Sequence, residues 1–187
     1  GNANDESVNS NHGTVSGATL TTDRNGTVSR AYSFDGINDY IDLNTPPGRP
    51  GSMTASAWVK KPAAQGSQRW IISRSSWQSG AWQLMTHGGK ASIEFGQGSN
   101  GPITGTTNIA DNQWHHIVGI YDSSTHKRYL YVDGQLEGQY TKAAFTENSN
   151  RLFIGKRDGD GATYNGKIDD VRIYNRALSA TEVTELH

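Results

Sequence analysis

Short runs in which apolar and polar side chains alternate, each cut off by Gly, Asn, Asp or Pro, recur along most of this chain, and no other feature constrains its fold as tightly. The clearest run is Trp114–Asp122, with Trp114, His116, Val118 and Ile120 on one side and His115, Ile117, Gly119 and Tyr121 on the other. Side chains on a strand repeat every second residue, so both faces of this one are predicted to be covered. Met53–Lys60 likewise sets Ala55, Ala57 and Val59 against Thr54, Ser56 and Trp58. Further strands are predicted at Thr14–Val15, Thr19–Thr21, Trp70–Arg74, Trp82–Thr86, Ala91–Phe95, Arg128–Val132, Gln135–Tyr140 and Arg151–Gly155. Ala31–Leu43 reads as two strands broken at Asp35-Gly36. Asp133-Gly134 is a tight-hairpin signal, because both turn positions require positive φ. Pro46, Pro47 and Pro50 mark a loop, and the residues from Asn100-Gly101-Pro102 toward Ile109 read as another. About a dozen short strands at this spacing predict a two-sheet antiparallel sandwich and argue against a parallel α/β sheet.

The last part of the chain changes period. From Lys167 to Tyr174, Ile168, Val171 and Ile173 sit among Asp169, Asp170 and Arg172, which is a half-buried strand interrupted at an Asp-Asp step. Ser179 followed by Glu182 is a capping box, so a short helix is predicted to open at Ala180. Carboxylates beside an apolar row place this closing strand well to hold a metal ion.

The 187 residues suit one large all-β domain, read as spanning 1–187. A net charge of −1 without runs of like charge gives no footprint for nucleic acid or a membrane surface. No apolar run reaches membrane-spanning length and no signal peptide is seen, so the sequence reads as a piece of a longer protein. With no cysteine, the staple expected for a secreted domain is calcium.

Taken in order, Tyr32–Ile41, Ala57-Trp58-Val59, Trp114–Val118, Tyr131–Gly134, Leu152–Gly155 and Gly166–Leu178 resemble the laminin G-like, concanavalin A-like jelly-roll family. The opening Asp5–Gly13 resembles that family's Asn/Gly-rich loop after its first strand, and the aromatic-rich strand that usually precedes the loop is missing here. The resemblance implies an all-β antiparallel jelly-roll sandwich with one structural calcium, appended to secreted carbohydrate-active enzymes, adhesins and cell-surface proteins. Fold alone does not choose among these.

The resemblance places a calcium ion where the N-terminal loop meets the last strand, with Asp169 as ligand and Asp5 and Asp35 beside it; the plain alternative is that these acids only shape turns. Asp158-Gly159-Asp160-Gly161 lacks the other positions of an EF-hand. Sugar rings stack on aromatic faces while polar groups bind their hydroxyls. That chemistry points to Trp77 in a polar loop, flanked by Arg74, Trp82 and His87, and to Arg157 and Tyr164 in the loop before the last strand. Trp58 and Trp114, inside family motifs, are expected in the sandwich. His115 and His116 are strand neighbours that point to opposite faces and so do not chelate one ion together. No pair of closely spaced acids, nucleophile elbow or phosphate loop is visible.

The expected function is therefore a non-catalytic carbohydrate-binding module of a secreted polysaccharide-active enzyme. Its partner would be a polysaccharide or oligosaccharide, and any catalysis would sit in a covalently linked domain. An adhesion, protein-interaction or spacer domain of a cell-surface protein is the alternative.

Overall fold

The computed structural model of the chain describes residues 2–44, 51–63, 68–74, 80–96, 101–159 and 161–187. Along the chain these residues form β1 (Thr14–Ser16), β2 (Thr19–Thr21), β3 (Ala31–Asp35), β4 (Tyr40–Asp42), β5 (Met53–Lys60), β6 (Arg69–Arg74), β7 (Trp82–His87), β8 (Lys90–Phe95), β9 (Ile103–Asn108), β10 (Trp114–Asp122), β11 (Lys127–Val132), β12 (Gln135–Thr141), β13 (Leu152–Ile154), β14 (Asn165–Tyr174) and α1 (Ala180–Leu186). The strands make two seven-stranded sheets, ordered β1-β4-β13-β6-β7-β8-β9 and β12-β11-β10-β5-β14-β3-β2. Every pairing is antiparallel. The fold is thus the all-β two-sheet sandwich that the alternation predicts.

The core lies between the sheets. Trp82, Leu84, Ile93 and Phe95 enter it from the first sheet, and Ala55, Ala57, Val59, Ile117 and Leu130 from the second. Each large side chain of this kind contributes about 1.5–3 kcal/mol on burial. Gly119 leaves room for Ile93 of the facing sheet, since a Cβ there would lie 2.6 Å from Ile93 Cδ1.

The second sheet is covered on its outer side as well. Val118, Ile120 and Tyr131 pack there against Leu178 and Val183, so β10 is buried on both faces. Helix α1 starts at the expected cap: the Ser179 hydroxyl accepts from the Glu182 N–H, and the Glu182 carboxylate accepts from the Ser179 N–H. Thr54 pins the approach to the helix, its hydroxyl donating to Arg176 O and accepting from Leu178 N. Trp58 is buried on this outer side, stacked on His116 at 5.1 Å and tilted against His187 at 5.3 Å, and not between the sheets as its motif suggested. Its alternation with Ala57 and Val59 requires that placement. Trp114 is only half-buried.

As read from the sequence, Asp35-Gly36 separates two strands, and it carries the chain from β3 in one sheet to β4 in the other. One other expectation changes. The segment read as a loop after Pro102 contains β9, a Thr-rich edge strand. It is held partly by β8 and partly by Glu137 of the opposite sheet, whose carboxylate accepts from the Thr106 and Thr107 amides at 2.9 and 3.2 Å. That tertiary support carries no local sequence signal. The Asp-Asp step, in contrast, is as expected: Asp170 has φ 45° and the β14–β5 register shifts between Asp169 and Arg172.

Candidate functional site

The outer face of the first sheet differs in chemistry from the core beneath it. Because Leu84 and Ile93 point inward, Gln83 and Glu94 point outward. The register aligns Asp42, Phe153, Ser73, Gln83 and Glu94 in one row across β4, β13, β6, β7 and β8. A second row on this face runs Trp70, Met85, Ser92 and Thr104. The segment after β13 lies against the face: Ser73 donates to Lys156 O at 2.7 Å, the Lys156 ammonium lies 3.8 Å from the Tyr40 ring centre, and the Arg157 guanidinium lies 4.1 Å from that of Trp70. Ser73, Gln83, Ser92 and Arg157 are buried, while Glu94 stays half-buried. Burial pushes the Glu94 carboxyl up from its ordinary range, against the charges of Lys142 and Arg157, which pull it down.

An amide, a carboxylate, hydroxyls and a guanidinium gather on this face, groups of the kind that bind a hydroxyl-rich ligand, but Met85 and Trp70, 0% and 2% exposed, are packed beneath them and Glu94 is the accessible member. Among the described residues of the Glu94 row, no second carboxylate stands beside Glu94. Asp42, the other carboxylate in the Glu94 row, stands four strand spacings away, about 19 Å at about 4.8 Å each, whereas a glycosidase pair needs about 5–9.5 Å.

The residues singled out from the sequence are dispersed. Arg157 is on this face. Arg74 and Trp82 are not: they point between the sheets and share Glu147, whose Oε1 lies 2.9 Å from Arg74 Nε and accepts from Trp82 Nε1 at 2.6 Å. Trp82 and Tyr164 are 1% and 0% exposed, so neither presents a ring face to a sugar. Tyr164 packs edge-on to Phe34 at 6.3 Å, and burial drives its hydroxyl pKa far up. A loop position in sequence did not reveal that this ring folds back into the core. His87 is exposed at the opposite end of β7 from Trp82. Trp77 lies outside the described residues. Gln83, Trp70 and Glu94 are not singled out by any sequence motif, although strict alternation through 82–87 and 90–95 sets Gln83 and Glu94 on one face.

The three expected calcium ligands are also separated. Asp5 accepts from the Ser7 and Asn11 amides at 2.8 and 2.9 Å, and hydrogen bonds from Ser7 and Asn11 hold its carboxyl down at about 2 despite some burial. Asp35 accepts from the Ile37 amide at 2.8 Å within its own turn. Asp169 pairs with Arg24 at 3.0 Å, whose guanidinium also lies 4.9 Å from the Trp58 ring centre. Asp5 and Asp169 line one trough and Asp35 does not. Among the described residues no three acidic or imidazole side chains converge as a metal site. Asp35 stands apart from the other two at the far end of β3, where it pairs with Asn165.

His115 and His116 diverge as expected. His115 bridges Asp133 at 2.7 Å and Asp111 at 3.1 Å. On the other face His116 stacks on Trp58 and lies 6.2 Å from the His187 ring, the three rings forming one cluster.

Comparison with known proteins agrees with this architecture. The family model of the concanavalin A-like lectin/glucanases superfamily matches residues 35–184. Domain 4 of AbnA, a GH43 extracellular arabinanase from Geobacillus stearothermophilus solved with arabinotriose, is similar with a TM-score of 0.78 at 21% identity, over 99% of this chain and 92% of that one. The binding domain of Paraclostridial Mosquitocidal Protein 1 is similar with a TM-score of 0.76 at 19% identity, over 98% of this chain and 48% of that one. A curated relative, the calpain-type cysteine protease DEK1 of Zea mays, is 24% identical over 144 residues, which is 60% of this chain but 7% of that protein. The chain therefore spans under half of the toxin domain and a small part of the plant protease. At these identities the solved structures speak to fold, and with the family match they lead to one conclusion: the chain belongs to the concanavalin A-like lectin/glucanases superfamily.

Proposed function

We propose that this domain is a non-catalytic carbohydrate-binding module of a secreted polysaccharide-active enzyme, with its glycan held on the outer face of the first sheet around Gln83, Glu94 and Arg157. The observation that carries this reading is the outward row of polar side chains from Ser73 to Glu94, with Glu94 accessible and Arg157 beside Trp70. The end-to-end likeness to an arabinanase domain solved with arabinotriose supports it and makes arabinan the first glycan to try. No helix among the described residues is long and apolar enough to cross a membrane.

Affinity electrophoresis through arabinan, xylan and β-glucan gels, with arabinotriose calorimetry, tests the proposal. Glu94→Ala is expected to weaken retention about tenfold, the loss of one charged hydrogen bond of about 1.5 kcal/mol. Absence of retention on every gel, or retention unchanged in Glu94→Ala, refutes it. Retention on no glycan together with binding to a cell surface would favour the adhesion reading, to which the similarity with a toxin's binding domain lends weight. Calcium belongs to the proposal as a structural ion held by Asp5 and Asp169, and it would have to displace Arg24 from Asp169.

A further inference from the structure

The outer face of the first sheet has an aromatic corner at β4 and β13. Strand β13 lies three strand spacings from β8 and Glu94, about 14 Å at about 4.8 Å each. Leu152 and Ile154 enter the core, so Phe153 between them faces outward, and the Tyr40 ring meets it edge-on at 6.0 Å. Two cations cover these rings. The Lys156 ammonium, 3.8 Å from the Tyr40 ring centre, is also 4.5 Å from that of Phe153, and the Arg151 guanidinium lies 5.3 Å from the Phe153 centre. Phe153 is buried beneath them, while Tyr40 and Lys156 are half-buried and Arg151 is exposed.

The acids of this corner do not balance its cations. Asp42 is engaged by Arg151 and accepts from the Asn44 amide at 2.8 Å. Among the described residues no carboxylate pairs with the Lys156 ammonium, which rests on the two rings alone. Arg157 adds a third positive charge over Trp70 on the neighbouring strand β6. Glu94, the accessible acid of the row, stands at the far end, so the row is positive at β13 and negative at β8. Ring faces fix where the ammonium sits, yet its N–H donors still need acceptors. A carboxylate answers that need with a charge-assisted hydrogen bond, roughly twice as strong as one to a neutral hydroxyl. The chain carries −1 overall, so a preference for an anion here would be local and not a general attraction for polyanions.

We propose that this corner is a subsite for a sugar residue that bears a carboxylate, with the Lys156 ammonium donating to that carboxylate beside Tyr40, so that the polysaccharide lying along the row toward Glu94 is an acidic one. The inference rests on the glycan reading and adds to it the class of sugar. Uronic and sialic acids both present the required group on a sugar ring.

Affinity electrophoresis of the intact chain through polygalacturonate, through its methyl ester and through arabinan tests it, since the ester keeps the sugar and removes the charge. Expected is retention by the free acid at least about tenfold stronger than by the ester, with the difference gone at about 1 M salt, where charges are screened beyond about 3 Å. Lys156→Gln should bring acid and ester to equal retention, and Lys156→Arg should keep most of the difference, which separates loss of charge from loss of fold. Lys127, exposed at the start of β11 in the other sheet, is the control, and Lys127→Gln should keep the preference. Calorimetry with trigalacturonate and with sialyllactose tells the two sources apart, the tighter ligand naming the sugar. Equal retention of acid and ester by the parent chain, or a preference that falls as far in Lys127→Gln as in Lys156→Gln, overturns this proposal and leaves the glycan reading standing. Retention on none of the gels overturns both.

Discussion

Replacing Glu147 by Gln changes one buried charge and almost nothing else. Glu147 and Arg74 are each 3% exposed at the side chain, with Oε1 2.9 Å from Nε. That nitrogen is off-axis for a hydrogen bond, so the contact is ionic. At this separation the gross attraction is about 6 kcal/mol for an effective dielectric of about 20, most of it offset by desolvation of both groups. The measurable quantity is the cost of leaving Arg74 charged without its carboxylate, about 3–5 kcal/mol. Gln can still accept from Trp82 Nε1 and leave the Asn148 O bond of Arg74 in place, so the low end, about 3 kcal/mol, applies. For a chain of this size that lowers Tm by about 6–12 °C. Urea unfolding followed by Trp fluorescence, with calorimetry, measures it. The paired replacement Arg74→Met with Glu147→Leu avoids both desolvation costs but takes away the acceptor of the buried Trp82 Nε1–H, so it should stay about 1–3 kcal/mol below the parent. A loss under about 1 kcal/mol in Glu147→Gln would refute the reasoning and show that water reaches Arg74 through the trough.

Acidification should act through His116, which burial, followed by the charge of His187, holds down at about 4 from 6.5. A depressed histidine stabilises the fold above the unfolded value and loses that contribution as pH falls toward the folded one, so about 3 kcal/mol disappears between about 6.5 and 4. His116→Gln should flatten that part of the urea-stability profile, and an unchanged slope would show that the imidazole is solvated. His115 has the opposite sign: burial is the largest influence and lowers its pKa, yet the hydrogen bonds that its ring donates to Asp133 and Asp111 prevail and raise it, so its contribution is present below 6.5 and lost as pH rises through the raised value. Calcium at about 100-fold excess over its Kd should stabilise the chain by about 2.7 kcal/mol against a chelated sample, and coincident melts would remove Asp5 and Asp169 from the proposal.

The parts of the fold legible in the sequence were those encoded locally. The period of two through Trp114–Asp122, the Asp133-Gly134 turn and the Ser179–Glu182 cap each depend on residues close in the chain, and the structure contains all of them. Strand β9 was illegible because Glu137 of the other sheet holds its Thr106 and Thr107 amides. Tyr164 and Trp82 misled for a related reason: aromatic character and a nearby loop say nothing about which way a ring turns, and both turn inward. Asp169 gave a correct backbone reading, the irregular Asp-Asp step, but its counter-charge Arg24 lies 145 residues earlier, beyond any local pattern. The outward set of Gln83 and Glu94 was within reach, since alternation dictates it once Leu84 and Ile93 are assigned to the core.

Helix α1 gives the sandwich a front and a back. With Leu178 and Val183 occupying the outer side of the second sheet, and His187 resting on Trp58 there, a tag or solid support joined to the final residue would emerge behind the molecule. Gln83 and Glu94 would then point away from the support, so immobilisation through that end orients every copy with its polar row toward the solution.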